Sequence, residues 1–210
     1  DRCRRGRAGS INIAGRQSGH QAQFDRPGRC GLRRSALKMR RQRFSYCPKC
    51  GGLLQYAAVH SRERLKCNCC NYIMYENPIV GVAVILQDSS GAVLLGRREK
   101  SASYPGLWCI PCGYVEYDEE VRQAACREFF EETGLQVKLG EVFTVLSNFH
   151  NPETHTVGIW FQAKIVGGAA KAGDDLTELG WFLPENPPPL AFPTDQAVLD
   201  MIAMRLAAAE

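Results

Sequence analysis

The sequence predicts an α/β protein: a mixed sheet covered by helices on both sides, preceded by a small metal-held ribbon. Three observations predict it. From Asn77 onward the chain reads strands, helix, strands, helix. A group of glutamates at helical spacing lies between the two runs of strands. Ahead of Asn77, two C-x2-C pairs enclose sixteen residues, a spacing expected of a zinc site.

The 210 residues are 45% hydrophobic, enough for one good core and something small beside it. No apolar run reaches the roughly 18 to 20 residues needed to cross a bilayer, so no membrane partner is expected. The net charge of +4 hides an asymmetry. Residues 1–43 carry 13 Lys/Arg against 2 Asp, a net +11, whereas residues 44–210 carry 13 against 20, a net −7. The basic stretch 1–43 has no sustained apolar period and is expected to be disordered. Three readings of it stay open: an organellar transit segment, a nucleic-acid-binding arm, or residues upstream of a start at Met39. Only three serines and no clear amphipathic helix weigh against the first. The expected location is cytoplasmic, or organellar if the stretch is a transit peptide.

Residues 44–76 hold Cys47, Cys50, Cys67 and Cys70. Each C-x2-C turn can aim two thiolates at one metal, and two such turns close a tetrahedral, structural Zn2+ site with no position left for a substrate. Cys69 makes the second turn ambiguous, and free or oxidisable thiols are the alternative reading. A zinc cage can hold a unit of only ~30 residues that otherwise lacks a core.

From residue 77 the pattern turns to strands. IVGVAVIL (79–86), the turn QDSSG and VLLGRR (93–98) read as a hairpin. Trp108-Cys109-Ile110 is a short strand, and Cys109-Ile-Pro-Cys112 reads as ordinary strand and loop residues, with a redox pair as the alternative. A helix is expected from about Glu119 to Thr133, with Asp118 as N-cap, Gly134 as stop, and Val121, Ala125 and Phe129 as its buried stripe. VKL, EVFTVLSNF, TVGIWFQAKIV and GWFL follow as strands. Pro-rich PENPPPLAFP is a loop, after which Thr194 caps a helix lined by Val198, Leu199, Ile202 and Leu206.

The chemistry lies between Gly113 and Leu135, where G-x5-E-x7-R-E-U-x-E-E-x-G-U (U apolar) is filled at every position. Glu128, Glu131 and Glu132 stand at i, i+3 and i+4, so their carboxylates share one helix face that repels itself without a counter-charge. Carboxylates without His or Cys suit a hard divalent cation. A solvated acidic face would explain Glu131 and Glu132 but not Gly113, Arg127 and Gly134 at their offsets. Glu119 and Arg127 are eight residues apart, about 12 Å along a helix. They can pair only if the chain bends near Glu119 or the arginine reaches across.

This pattern resembles the Nudix box, and residues 77–206 resemble the Nudix hydrolases. The resemblance implies an α/β/α sandwich and hydrolysis of a nucleoside diphosphate linked to another group. With the ribbon at 44–76, the chain looks like the subgroup that includes NADH, FAD and ADP-ribose pyrophosphatases. By the family's pattern Glu128 and Glu132 are Mg2+ or Mn2+ ligands, Glu131 is a ligand or acts through water, and the carbonyl of Cys112 joins them. Arg127 orients the carboxylates. The resemblance implies a general base either in the box, where Glu131 is the candidate, or in a loop beyond it, where AGDDLTELGW offers Asp174, Asp175 and Glu178; a solvated loop is the simpler account of those three, and Glu178 is the choice if one of them is the base.

Substrate choice is less legible. The SQPWPFPxS segment of NADH pyrophosphatases has no match in SNFHNPETHT. ADP-ribose pyrophosphatases tend to carry a proline downstream of the box, and Pro152 lies seventeen residues beyond Leu135. Phe149, Trp160 and Trp181 could stack on a base or belong to the core; His150 and His155 could meet phosphate or ribose, or solvent. The expected partner is a small nucleotide, nucleic acid is not expected, and a homodimer is left open. The competing class is a catalytically silent Nudix-fold nucleotide sensor or nucleic-acid-binding module, but no box glutamate is lost.

Overall fold

The computed structural model describes residues 42–208. The expectation of disorder over 1–43 therefore lies outside the described residues, apart from the last two. Strands β1 (Leu54–Val59) and β2 (Arg62–Cys67) pair through a two-residue turn, His60 and Ser61, both at positive φ (46° and 62°). Such a turn matches the natural twist of the two strands. β3 (Ile73–Met74) pairs antiparallel with β2, completing a three-stranded sheet that shares no ladder with the rest. Its buried core is Cys47, Leu54, Leu65 and Cys67 with Met74 against it. So little apolar surface calls for a further staple.

The remaining elements are β4 (Ile79–Leu86), β5 (Val93–Arg98), β6 (Trp108–Cys109), β7 (Cys112–Tyr114), α1 (Val121–Thr133), β8 (Leu135–Asn148), β9 (Thr156–Gly168), β10 (Leu176–Phe182) and α2 (Pro193–Ala207). One sheet runs β7-β4-β9-β8, with β4 and β9 parallel and the other pairs antiparallel; a second runs β10-β5-β6.

β4 shows why the core divides. Its side chains alternate, so Ala83 and Ile85 pack with Val198, Leu199 and Ile202 of α2, whereas Val82, Val84 and Leu86 pack with Ala124, Ala125 and Phe129 of α1. A strand buried on both faces reads as one apolar run, which is what the sequence shows. The expected hairpin does not form as a ladder. Both edges of β4 are taken by β7 and β9, so β5 leaves after a single bridge, Gln87 to Val93, and pairs with β10 and β6.

Both helix caps differ from expectation. α1 begins after Glu120, whose carboxylate accepts the N–H of Arg122 (2.9 Å) and Gln123 (3.1 Å), leaving Asp118 and Glu119 outside the helix. α2 starts on Pro193 with Phe192 at the cap and no side-chain cap bond, so Thr194 is already helical. Proline's fixed φ suits the first helical position. Gly134 does end α1, at φ 68°. Leu206, expected on the buried face of α2, is 38% exposed at its end. The strand runs VKL and EVFTVLSNF join into one 14-residue strand, β8, with irregular register near Gly140.

Candidate active site

The end of α1 leans on β7, and three polar contacts fix its carboxylates. Glu132 is 2% exposed, and its Oε2 accepts the N–H of Cys112 at 2.7 Å. Glu128 lies against Gly113, where a Cβ would overlap its carboxyl group; a residue without a side chain is required there. Arg127 joins the rest. Its Nε and Nη2 hold both oxygens of Glu119 at 2.8 and 2.7 Å, Nη1 reaches Glu128 at 2.9 Å and Glu131 at 3.0 Å, and Nη2 also donates to the carbonyl of Tyr114 at 3.2 Å. The bend that allows this is the turn ahead of Glu120, where Glu119 sits off the helix.

The electrostatics follow from burial. Desolvation pushes the Glu132 carboxyl well above its ordinary range, with Cys109, Asp175 and Glu128 adding repulsion and the Cys112 N–H opposing it. Glu128 is also raised, first by burial, with Arg127 opposing and Glu131 and Asp174 adding to the rise. Arg127 does the reverse to Glu119, holding it below the usual carboxylate range. Two carboxylates driven toward protonation by burial and mutual repulsion, with oxygen donors only, fit a hard divalent cation that would relieve both.

Glu128 and Glu132 line a cavity of about 440 Å3, together with Glu116, Asp174, Asp175 and Asp195. Arg98, only 8% exposed, pairs with Asp175 at 2.7 Å and donates through Nε to the carbonyl of Ser103 at 2.6 Å. The second Asp175 oxygen, Oδ1, is buried without a hydrogen-bond partner among the described residues. Asp195, 2% exposed, accepts the N–H of Ile110 at 3.0 Å, and burial pushes its carboxyl up to about 7.

Several expectations fall elsewhere. Glu178 does not face the cavity. It stands opposite Arg97 in the β5–β10 ladder and pairs with it at 3.3 Å, both side chains about half exposed (55% and 49%). Glu131 is bound to Arg127 at the rim and is not among the cavity-lining residues. Trp160 is a buried core residue that also borders the cavity, whereas Phe149 and Trp181 are exposed and do not line it. His150 lines the cavity, its imidazole kept toward the neutral form by burial, while His155 packs edge-on against Phe149.

Sequence reasoning missed Arg98, Tyr104, Glu116, Phe192 and Asp195. Two of these carry a local signal: Arg98 ends an apolar strand, and Asp195 follows the helix-starting Pro193. Tyr104 and Phe192 carry none.

In the ribbon, the sulfurs of Cys47, Cys50, Cys67 and Cys70 all lie within 4.8 Å of one another, with Cys47–Cys70 at 3.7 Å and Cys50–Cys67 at 3.5 Å. Sulfurs around a tetrahedral metal with bonds of ~2.3 Å stand about 3.8 Å apart, so the four could hold a metal ion. The N–H groups of Lys49, Cys69 and Cys70 point at these sulfurs at 3.4 to 3.5 Å, so Cys69 contributes its backbone and not its thiol. Cys109 and Cys112 are strand residues; a hydrogen bond with the Cys109 thiol, and then burial, raise the Cys112 thiol well above its ordinary value, the opposite of a reactive thiolate.

Comparison with known proteins agrees with this geometry. A model of the NUDIX domain matches residues 77–201. An ADP-ribose pyrophosphatase of Methanocaldococcus jannaschii is 35% identical over 130 residues, covering 61% of this chain and 76% of that protein. The NAD-capped RNA hydrolase NudC of Vibrio vulnificus is 29% identical over 153 residues, 71% of this chain, which spans only 55% of that relative's length. The crystal structure of a NUDIX hydrolase from Nitrosomonas europaea superposes with a TM-score of 0.67 at 28% identity, over 78% of this chain and 93% of that one. No helix among the described residues is long and apolar enough to cross a membrane. A family model matched over more than half of the chain, on a fold whose helix α1 turns Glu128 and Glu132 into the cavity, means that this protein belongs to the NUDIX family and is a Nudix hydrolase.

Proposed function

We propose that this hydrolase cleaves the pyrophosphate bond of a nucleoside diphosphate linked to a second group, of the ADP-ribose kind, and releases a nucleoside monophosphate. The observation that carries the reading is the convergence of Glu128 and Glu132 on one cavity, both raised by burial. The similarity to an ADP-ribose pyrophosphatase supports the choice of substrate class.

Glu128 and Glu132 would hold Mg2+ or Mn2+, and Glu131, tied to the same Arg127 as Glu128, would act through water. A cation bound there would screen the phosphate oxygens and stabilise the leaving phosphate. Arg127 fixes the direction of Glu128 and Glu131, and the Cys112 N–H fixes Glu132. The proton of the attacking water goes to Asp174, in preference to Glu178 or Glu131. Asp174 is exposed, lines the cavity, adopts a left-handed backbone (φ 50°) and is close enough to Glu128 to raise its carboxyl. Water then adds to phosphorus as the bridging P–O bond breaks. Cys47, Cys50, Cys67 and Cys70 would hold a structural Zn2+.

The test is incubation of the protein with ADP-ribose, NADH, FAD, diadenosine polyphosphates and NAD-capped RNA, with Mg2+ or Mn2+. AMP release from ADP-ribose is the expected outcome. Absence of monophosphate from every compound, under conditions where a control pyrophosphatase turns over, would sink the proposal.

A further inference from the structure

Three aromatic rings from three separate loops meet in the same cavity as Glu128 and Glu132. Tyr104 comes from the loop between β5 and β6, His150 from that between β8 and β9, and Phe192 from the residue before α2. Their centroids lie 5.6 Å (Tyr104–His150), 5.5 Å (Tyr104–Phe192) and 5.8 Å (His150–Phe192) apart, within the range of aromatic contacts. None of the three belongs to the Nudix box.

The cluster is braced. Arg98 stacks its guanidinium 5.4 Å over the Phe192 ring, and the same group holds the carbonyl and hydroxyl of Ser103, the residue before Tyr104. Tyr104 itself sits at φ 58°, a conformation that a bulky residue adopts only when its surroundings impose it. Asn148 hydrogen-bonds the His150 ring. Tyr104 nevertheless remains 37% exposed and all three rings line the cavity, so aromatic surface is left for a ligand to cover.

The chemistry of this end is opposite to that of the box. Burial keeps His150 toward the neutral imidazole, and Arg98 is already matched by Asp175, so neither offers a free positive charge to a phosphate. The carboxylates, with a cation, suit the phosphates; the rings suit a flat, uncharged heterocycle. We propose that Tyr104, His150 and Phe192 form a base-binding clamp that takes the nucleobase of the substrate's nucleoside end. This assignment rests on the pyrophosphohydrolase reading for its substrate, although the clamp can be tested without turnover.

The experiment is NMR titration of the protein with AMP and, separately, with ribose 5-phosphate, both in Mg2+ buffer. Wild type is expected to bind AMP at least tenfold more tightly than ribose 5-phosphate. Tyr104→Leu should erase most of that preference while leaving ribose 5-phosphate binding unchanged, and Tyr104→Phe should keep it. With a hydrolysed substrate, Tyr104→Leu should act through KM far more than through kcat. Equal binding of the two ligands by wild type, binding of neither, or equal weakening of both in Tyr104→Leu overturns the clamp. If Tyr104→Leu does not fold, Phe192→Leu is read in the same way, and the wild-type comparison already decides the base preference. Base-selective, ring-dependent AMP binding without any hydrolysis would sink the enzyme reading alone; hydrolysis without base preference would sink the clamp alone.

Discussion

The Glu128 carboxyl occupies the space where a side chain on Gly113 would begin. The glycine that opens the box is therefore needed for the close approach of β7 to α1, not for a turn. Gly113→Ala is expected to displace Glu128 and reduce kcat/KM at least about 100-fold, as misplaced catalytic groups do. Melting should change little, because the displaced group is polar and at the cavity wall. Steady-state kinetics beside a melting curve checks both halves, and near-normal turnover would show that Glu128 does not act from this position.

Arg127 makes the second test. One guanidinium spans Glu119, Glu128 and Glu131, which a lysine's single ammonium cannot do. Arg127→Lys should raise the Mg2+ concentration for half-maximal activity about tenfold or more and lower kcat, because Glu128 loses its fixed direction. A fall in kcat with unaltered Mg2+ dependence would place Arg127 on the substrate instead.

What could be read in advance and what could not divide along the length of the contacts. Glu128, Glu131, Glu132 and Arg127 share one short helix, and the four ribbon cysteines lie on two tight turns, so spacing alone brings each group together. The placement of Glu178 could not be read in advance because its neighbour is Arg97, 81 residues away, and the β5–β10 register decides which way it faces. The hairpin failed for a related reason: no local signal says that both edges of β4 will be occupied. Tyr104, His150 and Phe192 meet only because three loops end at one place, so their residue types say nothing by themselves.

Glu132→Gln separates stability from activity. The amide is of similar size, its oxygen can still accept the Cys112 N–H, and it has no charge to desolvate. Turnover should fall by about 100-fold or more, whereas stability in metal-free buffer should be equal to or above that of wild type. A destabilised but active variant would reverse both assignments.

Removing the ribbon's metal should act locally. With four buried core residues, the β1–β3 sheet lacks the apolar surface to stay folded by itself, whereas the two larger cores do not depend on it. Elemental analysis is expected to find one zinc per chain, absent from Cys47→Ser/Cys50→Ser. In that variant limited proteolysis should cut within residues 44–76 while residues 77–206 resist. No zinc in freshly purified protein would overturn the ribbon site.

Asp195 predicts a pH effect with a definite sign. Burial raises its carboxyl to about 7, while the Ile110 N–H and Arg98 pull the other way. Because the folded state then holds a proton that an unfolded aspartate, with a value of roughly 3.9, has released, the contribution is favourable at low pH and lost as pH rises toward 7. In Asp195→Asn the side-chain amide would keep an acceptor for the Ile110 N–H and carry no charge. The stability of wild type relative to Asp195→Asn should thus fall by roughly 2 to 3 kcal/mol between pH 5 and pH 8. Glu128 and Glu132 are common to both proteins and cancel in the difference. Urea unfolding at pH 5, 6.5 and 8 measures it, and parallel curves across that range would mean that Asp195 titrates like an ordinary carboxylate.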